Sequence, residues 1–249
     1  MKGIIFDVDG TLWDSTKEVA VAWNKVLQDE MEGHEILTAE GLQKEFGKPM
    51  DAIAESLFPE MSEKDRMELL GKMMAYENEL VAVGPCVIYN GVPETIKALS
   101  KKYSLYIVSN CQDGYIEAFL KNSGLGGYFK DFTCPAYTGR LKGENIRIIM
   151  ERNGLDEAVY VGDTQGDANA CKEAELNIAF HRAVFPSFDT TFCISRISTI
   201  DFPANIAYNG HEKRITLDKL RFSGYAYMSP YKDGTIFDHQ AQAVRVPHA

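Results

Sequence analysis

A short apolar run that ends in two aspartates constrains the fold of this chain more than any other stretch. Residues 4–12 read IIFDVDGTL, so that apolar side chains lead directly into Asp7, and Asp9 follows two residues later. Such a run, ending in a turn, is typical of a parallel-sheet strand buried on both faces. Two neighbouring carboxylates repel each other unless a cation lies between them. Because Gly10 permits a sharp turn and Thr11 offers a hydroxyl and an N–H to an anion, the stretch predicts a divalent cation beside a phosphate.

Composition and charge exclude several other classes of protein. The chain has 249 residues and a formal net charge of −10, so it carries no basic field for nucleic acid. Its five cysteines are scattered without a CxxC pair, which favours reduced thiols and a cytoplasmic location. No apolar run approaches the roughly 20 residues of a membrane span, and a strand at the very start leaves no room for a signal peptide.

Residues 15–83 predict a helical unit without strands. Ser15 and Glu18 have the spacing of a capping box, and a helical apolar repeat follows them. A second helix is expected over residues 39–46, and the Gly47-Lys48-Pro49 sequence breaks it before a short third helix. A fourth helix opens at Ser62, and its predicted buried face is formed by Met67, Leu70, Met74 and Leu80.

The rest of the chain alternates between strands and helices. Strands are predicted at residues 104–108, 132–134, 158–161, 177–180 and 191–194. This alternation predicts an α/β fold, a Rossmann-like three-layer arrangement with helices on both faces of a parallel sheet. We therefore divide the chain into a core of residues 1–14 and 84–206, a helical cap of residues 15–83, and a C-terminal extension.

The C-terminal extension, residues 207–249, shows little periodicity. Asn-Gly, Ser-Gly and Asp-Gly pairs separate short aromatic runs, which predicts a hairpin or an extended arm. Its role is not indicated by the sequence.

Polar residues follow three of the predicted strands. Asp7 and Asp9 follow the first, Ser109 and Asn110 follow the strand at 104–108, and Asp163 follows the strand at 158–161. Because parallel strands end at one edge of a sheet, where α/β proteins bind ligands, we expect these groups to converge. Asp167 near a helix start and Lys142 just before another helix join the set, Lys142 as a cation for a phosphate.

Each of these residues also has a structural interpretation. Asp163 and Asp167 have the positions of helix N-caps, Ser109 and Asn110 fit a strand-to-helix turn, and Lys142 fits a surface lysine. Lys48, at the helix break in the predicted cap, is either a surface lysine or a contact for a substrate carboxylate or second phosphate.

Taken together, the motifs resemble those of the haloacid dehalogenase-like hydrolases, and most closely the phosphoglycolate phosphatase-like members. They are FDVDGTL at residues 6–12, VSN at 108–110, Lys142, and VGDTQGD at 161–167. The likeness covers about residues 1–200 and includes a helical cap inserted after the first motif. In one departure, residues 181–186, HRAVFP, lack the glycine of the aromatic-glycine loop usual in the family.

The resemblance implies a role for each motif residue. Asp7 would attack phosphorus and form an aspartyl-phosphate, and Asp9 would protonate the leaving oxygen and then activate water. Asp163 would bind Mg²⁺ together with Asp7 and the backbone carbonyl of Asp9, with Asp167 completing or orienting that shell. The non-bridging phosphate oxygens would be held by Ser109, Asn110 and Lys142, assisted by Thr11. Elementary electrostatics agrees, since a carboxylate attacks a phosphate dianion only when cations cancel the repulsion.

The sequence therefore predicts a cytoplasmic, Mg²⁺-dependent phosphatase that acts on a small phosphorylated metabolite such as phosphoglycolate. Two alternatives stay open: a phosphomutase of the β-phosphoglucomutase type, and a catalytically silent binding protein with the same fold. Neither nucleic acid nor membrane is an expected partner, and both a monomer and a homodimer are compatible with the sequence.

Overall fold

The structure, a computed structural model, describes residues 2–31 and 33–180 and four short strands further along the chain. For residues 177–180 and the four later strands it describes the backbone only. Within these ranges, no helix combines the length and the apolar character needed to cross a bilayer.

The first third of the chain is mainly helical. Strand β1 (Lys2–Phe6) and the short β2 (Trp13–Asp14) come first, and β2 pairs antiparallel with β3 (Val87–Ile88). Between β2 and β3 lie four helices, which we call the helical insertion: α1 (Thr16–Glu30), α2 (Ala39–Gln43), α3 (Met50–Leu57) and α4 (Glu63–Val81). The expected all-helical stretch is present, and its assignment as a separate cap domain stays a prediction.

The second part alternates between helices and strands as expected. Its elements are α5 (Val92–Leu99), β4 (Ser104–Val108), α6 (Tyr115–Ser123), a 3₁₀ turn (Gly126–Tyr128), β5 (Phe129–Thr133), α7 (Pro135–Thr138), α8 (Lys142–Arg152), β6 (Glu157–Gly162), α9 (Gln165–Glu173) and β7 (Asn177–Phe180).

Five parallel strands form the central sheet, in the order β5-β4-β1-β6-β7. Side chains of β1 alternate between its two faces because successive residues of a strand point in opposite directions. Ile4 and Phe6 pack in the apolar cluster that includes α5 and α6, whereas Ile5 packs in the cluster that includes α8 and α9. The three-layer α/β fold is thereby confirmed.

The last described strands form a second sheet. Strands β8 (Phe192–Ile194), β9 (Ala226–Met228), β10 (Thr235–Asp238) and β11 (Gln242–Arg245) pair antiparallel in the order β11-β10-β9-β8. A strand near residues 191–194 was expected, but it pairs with the C-terminal strands and lies outside the parallel sheet. The pairs expected as turns in the extension and the HRAVFP segment lie outside the described residues.

Several local predictions in the helical insertion were wrong. Ser15 forms no capping box, because its hydroxyl donates to the carboxylate of Asp9, and the N–H of Thr16 donates to Asp14 instead. Helix α2 ends at Gln43, three residues earlier than expected. The cap at Ser62 is confirmed, since its hydroxyl oxygen accepts from the N–H of Asp65.

The buried face of α4 is rotated from the predicted one. The helix buries Leu69, Leu70, Met73, Glu77 and Val81, while Met67 is exposed. A search for apolar spacing alone does not find this face, because one of its buried residues is the acidic residue Glu77.

Candidate active site

Strand registers bring the sequence motifs to one edge of the sheet. Phe6 of β1 lies beside Ile107 of β4 and Val161 of β6, so the residues that follow these strands are neighbours. The N–H of Asp7 extends the ladder by donating to the carbonyl of Val161 at 2.9 Å. Asp7 therefore lies near Ser109 and Asp163, each more than 100 residues away from it along the chain, as parallel pairing predicts.

Three carboxylates meet at this edge. Asp7, Asp163 and Asp167 each present an oxygen atom, and these atoms lie within 4.8 Å of one another. Asp7 and Asp167 are buried, and Asp163 is partly exposed. Carboxylates packed this closely repel one another strongly, so the cluster needs positive charge or protons to exist at neutral pH.

Lys142 supplies one positive charge to the cluster. It is the first residue of α8, and its buried Nζ lies 2.7 Å from Oδ1 of Asp167 and 3.2 Å from Oδ2 of Asp7. Nζ also lies 5.8 Å from the ring centroid of Tyr160 on β6. Burial alone would lower the pKa of Lys142, but Asp167 and Asp7 outweigh that effect and raise it. The ammonium is therefore charged over the whole physiological range.

The carboxylate of Asp167 is fully used within the protein. Its Oδ1 accepts from Lys142, and its Oδ2 accepts from the N–H of Asp163 and from the N–H and hydroxyl of Thr164. Thr164 and Asp167 form a capping box at the start of α9. Burial opposes ionisation, yet Lys142 and Thr164 together lower the pKa of Asp167. Its described contacts make Asp167 an anchor for Lys142 and for the loop that carries Asp163.

Asp7 and Asp163 are short of positive charge. Burial raises the pKa of Asp7 to about 7 in spite of Lys142, and burial together with Asp7 raises that of Asp163 to about 8. Oδ1 of Asp7 is buried without a hydrogen-bond partner in the described part of the chain. The hydroxyl of Thr11 donates to Oδ1 of Asp163 at 3.0 Å.

These observations fit a hard divalent cation. The orphaned carboxylate oxygen of Asp7 and the nearby carboxylate of Asp163, with Asp167 anchoring the loop behind them, form the all-oxygen donor set that Mg²⁺ prefers in a protein. Gly10, with φ of 76°, passes so close to the carboxylate of Asp163 that a Cβ atom there would collide with it. Glycine at this position therefore allows the β1 loop to approach the acidic cluster.

Asp9 lies next to the cluster but outside it. Its Oδ1 accepts from Nε1 of Trp13 at 3.0 Å, from Oγ of Ser15 at 2.8 Å and from the hydroxyl of Tyr115 at 2.6 Å. Burial raises the pKa of Asp9, and these three donors lower it. The side chain is partly exposed, and all of its described hydrogen bonds end on the same oxygen. Asp9 is thus held apart from the three carboxylates that face one another.

Comparison with known proteins decides the family. A sequence profile described as haloacid dehalogenase-like hydrolase matches residues 4–181, which is well over half of the chain. The chain belongs to the haloacid dehalogenase-like hydrolase family. The resemblance seen in the motifs is thereby confirmed.

Curated relatives within this family carry one recurring name. A phosphoglycolate phosphatase from Aquifex aeolicus is 31% identical over 72% of this chain and 84% of its own length. One from Vibrio vulnificus is 28% identical over 70% of this chain and 80% of its own length. A third, from Pseudomonas savastanoi pv. phaseolicola, is 25% identical over 70% of this chain, which spans 66% of that relative.

Solved structures share the fold. A phosphoglycolate phosphatase predicted in Haemophilus somnus gives a TM-score of 0.62 at 22% identity, over 70% of this chain and 82% of that one. CbbY from Rhodobacter sphaeroides in complex with phosphate also gives 0.62, at 16% identity over 72% and 84%. These structures confirm the α/β fold. The family profile and the curated relatives confirm the prediction of an enzyme, a phosphoric monoester hydrolase.

The other residues predicted to bind phosphate, Thr11, Ser109 and Asn110, all make contacts within the protein in this structure. Thr11 is buried and donates its N–H to the carbonyl of Val8, so in this structure it supports Asp163 and has neither donor free. Ser109 is buried and lowers the pKa of Asp7 through a side-chain hydrogen bond. Asn110 donates from Nδ2 to the carbonyl of Gly47 at 2.9 Å. Contacts of these residues with phosphate stay predictions.

Lys48 does not reach the acidic cluster in this structure. Its Nζ pairs with Glu45 at 2.7 Å, and the side chain is exposed. Its neighbour Gly47 does reach the site, because the Gly47 carbonyl accepts from Asn110 and a Cβ atom added to Gly47 would lie against the side chain of Thr164. The helix break that Lys48 belongs to therefore lies against two core loops, while the role of Lys48 itself stays a prediction.

Sequence reasoning missed the residues around Asp9. Ser15 was interpreted as a helix cap, and neither Trp13 nor Tyr115 was singled out. The short spacing of Trp13 and Ser15 from Asp9 was a signal that could have been used. Tyr115 lies 106 residues from Asp9 along the chain, and no sequence spacing points to it.

Proposed function

We propose that this enzyme is a Mg²⁺-dependent phosphatase that hydrolyses a small, phosphoglycolate-like phosphomonoester through an aspartyl-phosphate on Asp7. The observation that carries the proposal is the buried ammonium of Lys142, held between Asp7 and Asp167 within the three-carboxylate cluster. A nucleophilic carboxylate needs a positive charge beside it, because its target, a phosphate ester, is itself an anion.

Asp7 is the nucleophile in this scheme. One of its oxygens forms a bond to phosphorus while the bond between phosphorus and the ester oxygen breaks. Lys142 neutralises charge on the non-bridging oxygens, with Ser109 and Asn110 as further donors. Mg²⁺, held by Asp7, Asp163 and the backbone carbonyl of Asp9, with Asp167 orienting its neighbours, would add electrostatic stabilisation of the transferring group.

Asp9 moves the protons. In the first half-reaction its carboxyl group gives a proton to the departing alkoxide oxygen. In the second, the carboxylate takes a proton from the water that attacks phosphorus, and Asp7 is released with free phosphate. A positioned acid or base of this kind contributes about 10²–10⁴ to the rate.

The relatives named phosphoglycolate phosphatase support the choice of a small acid phosphate. Lys48 follows Gly47, whose carbonyl accepts from Asn110, and it is the proposed contact for a substrate carboxylate once the pair with Glu45 opens. A cytoplasmic location would suit a small metabolite, and it remains part of the proposal.

The test is a steady-state assay of a panel of small phosphate esters, with Mg²⁺ and with chelator. Wild type is expected to release phosphate only with Mg²⁺, and Asp7→Asn to lose turnover. Asp29→Asn, which removes an exposed acid paired with Lys25 on α1, is the matched control and should behave as wild type. Substantial activity of Asp7→Asn would refute the assignment of the nucleophile.

The same assay separates the two alternatives. With glucose 1-phosphate, formation of glucose 6-phosphate instead of free phosphate would identify a phosphomutase. Absence of any turnover across the panel would favour a binding protein.

A further inference from the structure

We propose that Tyr115 is a positioning residue for Asp9: its hydroxyl fixes the carboxylate so that Oδ2 is the atom that carries the transferred proton. This inference rests on the proposed function, in which Asp9 is the general acid. Tyr115 lies outside all of the sequence motifs, and it contacts Asp9 of the first motif from 106 residues further along the chain. Tyr115 is the first residue of α6, and its side chain is buried.

The hydrogen bonds around Asp9 are unevenly distributed between its two oxygens. Oδ1 receives all three described donors, the indole N–H of Trp13 and the hydroxyls of Ser15 and Tyr115. A carboxylate oxygen has two lone pairs, so three donors leave it no capacity for a proton that must be passed to a substrate. The oxygen that remains able to carry this proton is Oδ2.

Proton counting around Oδ1 supports this arrangement. The hydroxyls of Tyr115 and Ser15 are 2.8 Å apart, so they and Oδ1 of Asp9 form a closed triangle of oxygens. The hydroxyls of Tyr115 and Ser15 provide two protons, whereas the triangle contains three oxygen–oxygen contacts, so only two of these contacts can be hydrogen bonds at a time. With Asp9 ionised, charge-assisted bonds to the carboxylate are the stronger choice for both protons. The triangle thus leaves the carboxylate with a defined orientation.

Tyr115 itself is rigidly placed. Its ring packs edge-on against Trp13, with centroids 6.0 Å apart, and Trp13 donates to the same oxygen of Asp9. The loop before it is attached to α4 of the helical insertion, because Asn78 donates to the carbonyl of Asp113 at 2.6 Å and Gln112 donates to Glu77 at 2.9 Å. A fixed donor on a rigid element restricts a side chain more strongly than a donor on a free loop does.

The test compares two leaving groups in Tyr115→Phe, which keeps the ring and removes the hydroxyl. An alkyl phosphate, the best substrate of the ester panel, needs a proton on its departing oxygen, whereas p-nitrophenyl phosphate releases a stable phenolate without one. The value of kcat/KM reports the phosphorylation of Asp7. For the alkyl ester, kcat/KM should fall about 10- to 100-fold, because the variant loses part of the rate enhancement that a positioned acid supplies. For the aryl ester, kcat/KM should fall less than about threefold.

Tyr106→Phe is the control, because Tyr106 is another buried tyrosine of the core, on β4, and lies near Gly3 at the opposite end of β1. It should leave both values of kcat/KM unchanged. Ser15→Ala, which removes a second donor to Oδ1, should reproduce the selective loss and replaces Tyr115→Phe if that variant fails to fold.

An equal loss for both esters, or no loss for either, in an active enzyme would overturn the role of Tyr115 and leave the proposed function intact. A wild-type protein that hydrolyses neither ester would overturn the proposed function and this inference together.

Discussion

At the scale of single residues, the buried charges of the site depend on one another. Lys142 compensates two of three neighbouring carboxylates, and Asp167 in turn holds Lys142 and the loop of Asp163. Removal of one partner from a buried ion pair leaves an uncompensated charge, which costs far more than the pair contributes. The site is therefore most sensitive to loss of its single described cation.

We expect Lys142→Met to be less stable than wild type by about 3–5 kcal/mol at neutral pH without divalent cations, because Asp7 and Asp167 then lie buried without a compensating cation. Urea unfolding in the presence of chelator measures this. The loss should shrink at acidic pH, where the carboxyl groups take up protons, and also on addition of Mg²⁺.

Lys72→Met is the control for that variant, since Lys72 pairs with Glu30 on the exposed surface. Its effect should be much smaller, as solvent screens the pair. Equal effects of the two substitutions would show that Lys142 does not compensate the acidic cluster.

At the scale of elements, the break between α2 and α3 connects the helical insertion with the core. Gly47 has φ of 86°, its carbonyl accepts from Asn110, and a Cβ atom on it would lie 2.8 Å from Cγ2 of Thr164. The sequence predicted the break from glycine and proline, but only the structure places it against the loops after β4 and β6. This contact makes the break a candidate determinant of access to the site.

Gly47→Ala should lower kcat/KM by about tenfold or more, because the added methyl group pushes the break away from Asn110 and Thr164 and small displacements at a site are costly. Gly33→Ala is a close match, since Gly33 also has a positive φ, 79°, but nothing lies within 4 Å of its added Cβ.

Both substitutions should cost about 1–2 kcal/mol of stability through the left-handed backbone conformation. Activity of Gly33→Ala should stay at the wild-type level. If both variants lose the same activity, backbone strain alone explains the effect and the contact with the core does not matter.

At the scale of the whole molecule, a buried acid links the insertion with the core. Glu77 of α4 accepts from Trp23 of α1 and from Gln112 after β4, at 2.5 and 2.9 Å. Burial raises its pKa from 4.5 to about 7 in the folded protein, and the two hydrogen bonds only partly oppose that. Between these pH values the folded protein holds a proton that the unfolded chain has released. The contribution of Glu77 to stability is therefore lost as pH rises from 4.5 to about 7.

Glu77→Gln should remove this pH dependence. The shift corresponds to at most about 3 kcal/mol, so the stability of the variant relative to wild type should improve by up to that amount between pH 4.5 and 7. Urea unfolding at a series of pH values measures it. Glu68→Gln, an exposed acid on the same helix, reports the loss of a surface charge alone. Parallel curves for Glu77→Gln and wild type would contradict the prediction.

The sequence by itself determined the succession of helices and strands along the chain, the parallel pairing of the sheet and the set of polar residues at its edge. It could do so because period-2 and period-3.6 patterns, turn residues and short motifs are local signals, and because parallel pairing brings all strand ends together. Asp7, Asp163, Asp167 and Lys142 were found in this way. Local patterns also misled at Ser15, whose hydroxyl serves Asp9 rather than its own helix.

Only the tertiary structure decided which groups surround Asp9, where the Gly47 break lies, and that Glu77 is buried. Tyr115 and Asp9 are far apart in sequence, and their contact depends on how α6 packs against Trp13, which no spacing encodes. A buried glutamate is stabilised by donors from two other elements, Trp23 and Gln112, so its burial follows from those partners and not from its own position on α4. Hydrogen bonds between distant elements are decided when the chain packs, because that is when their donors and acceptors first come within reach of each other.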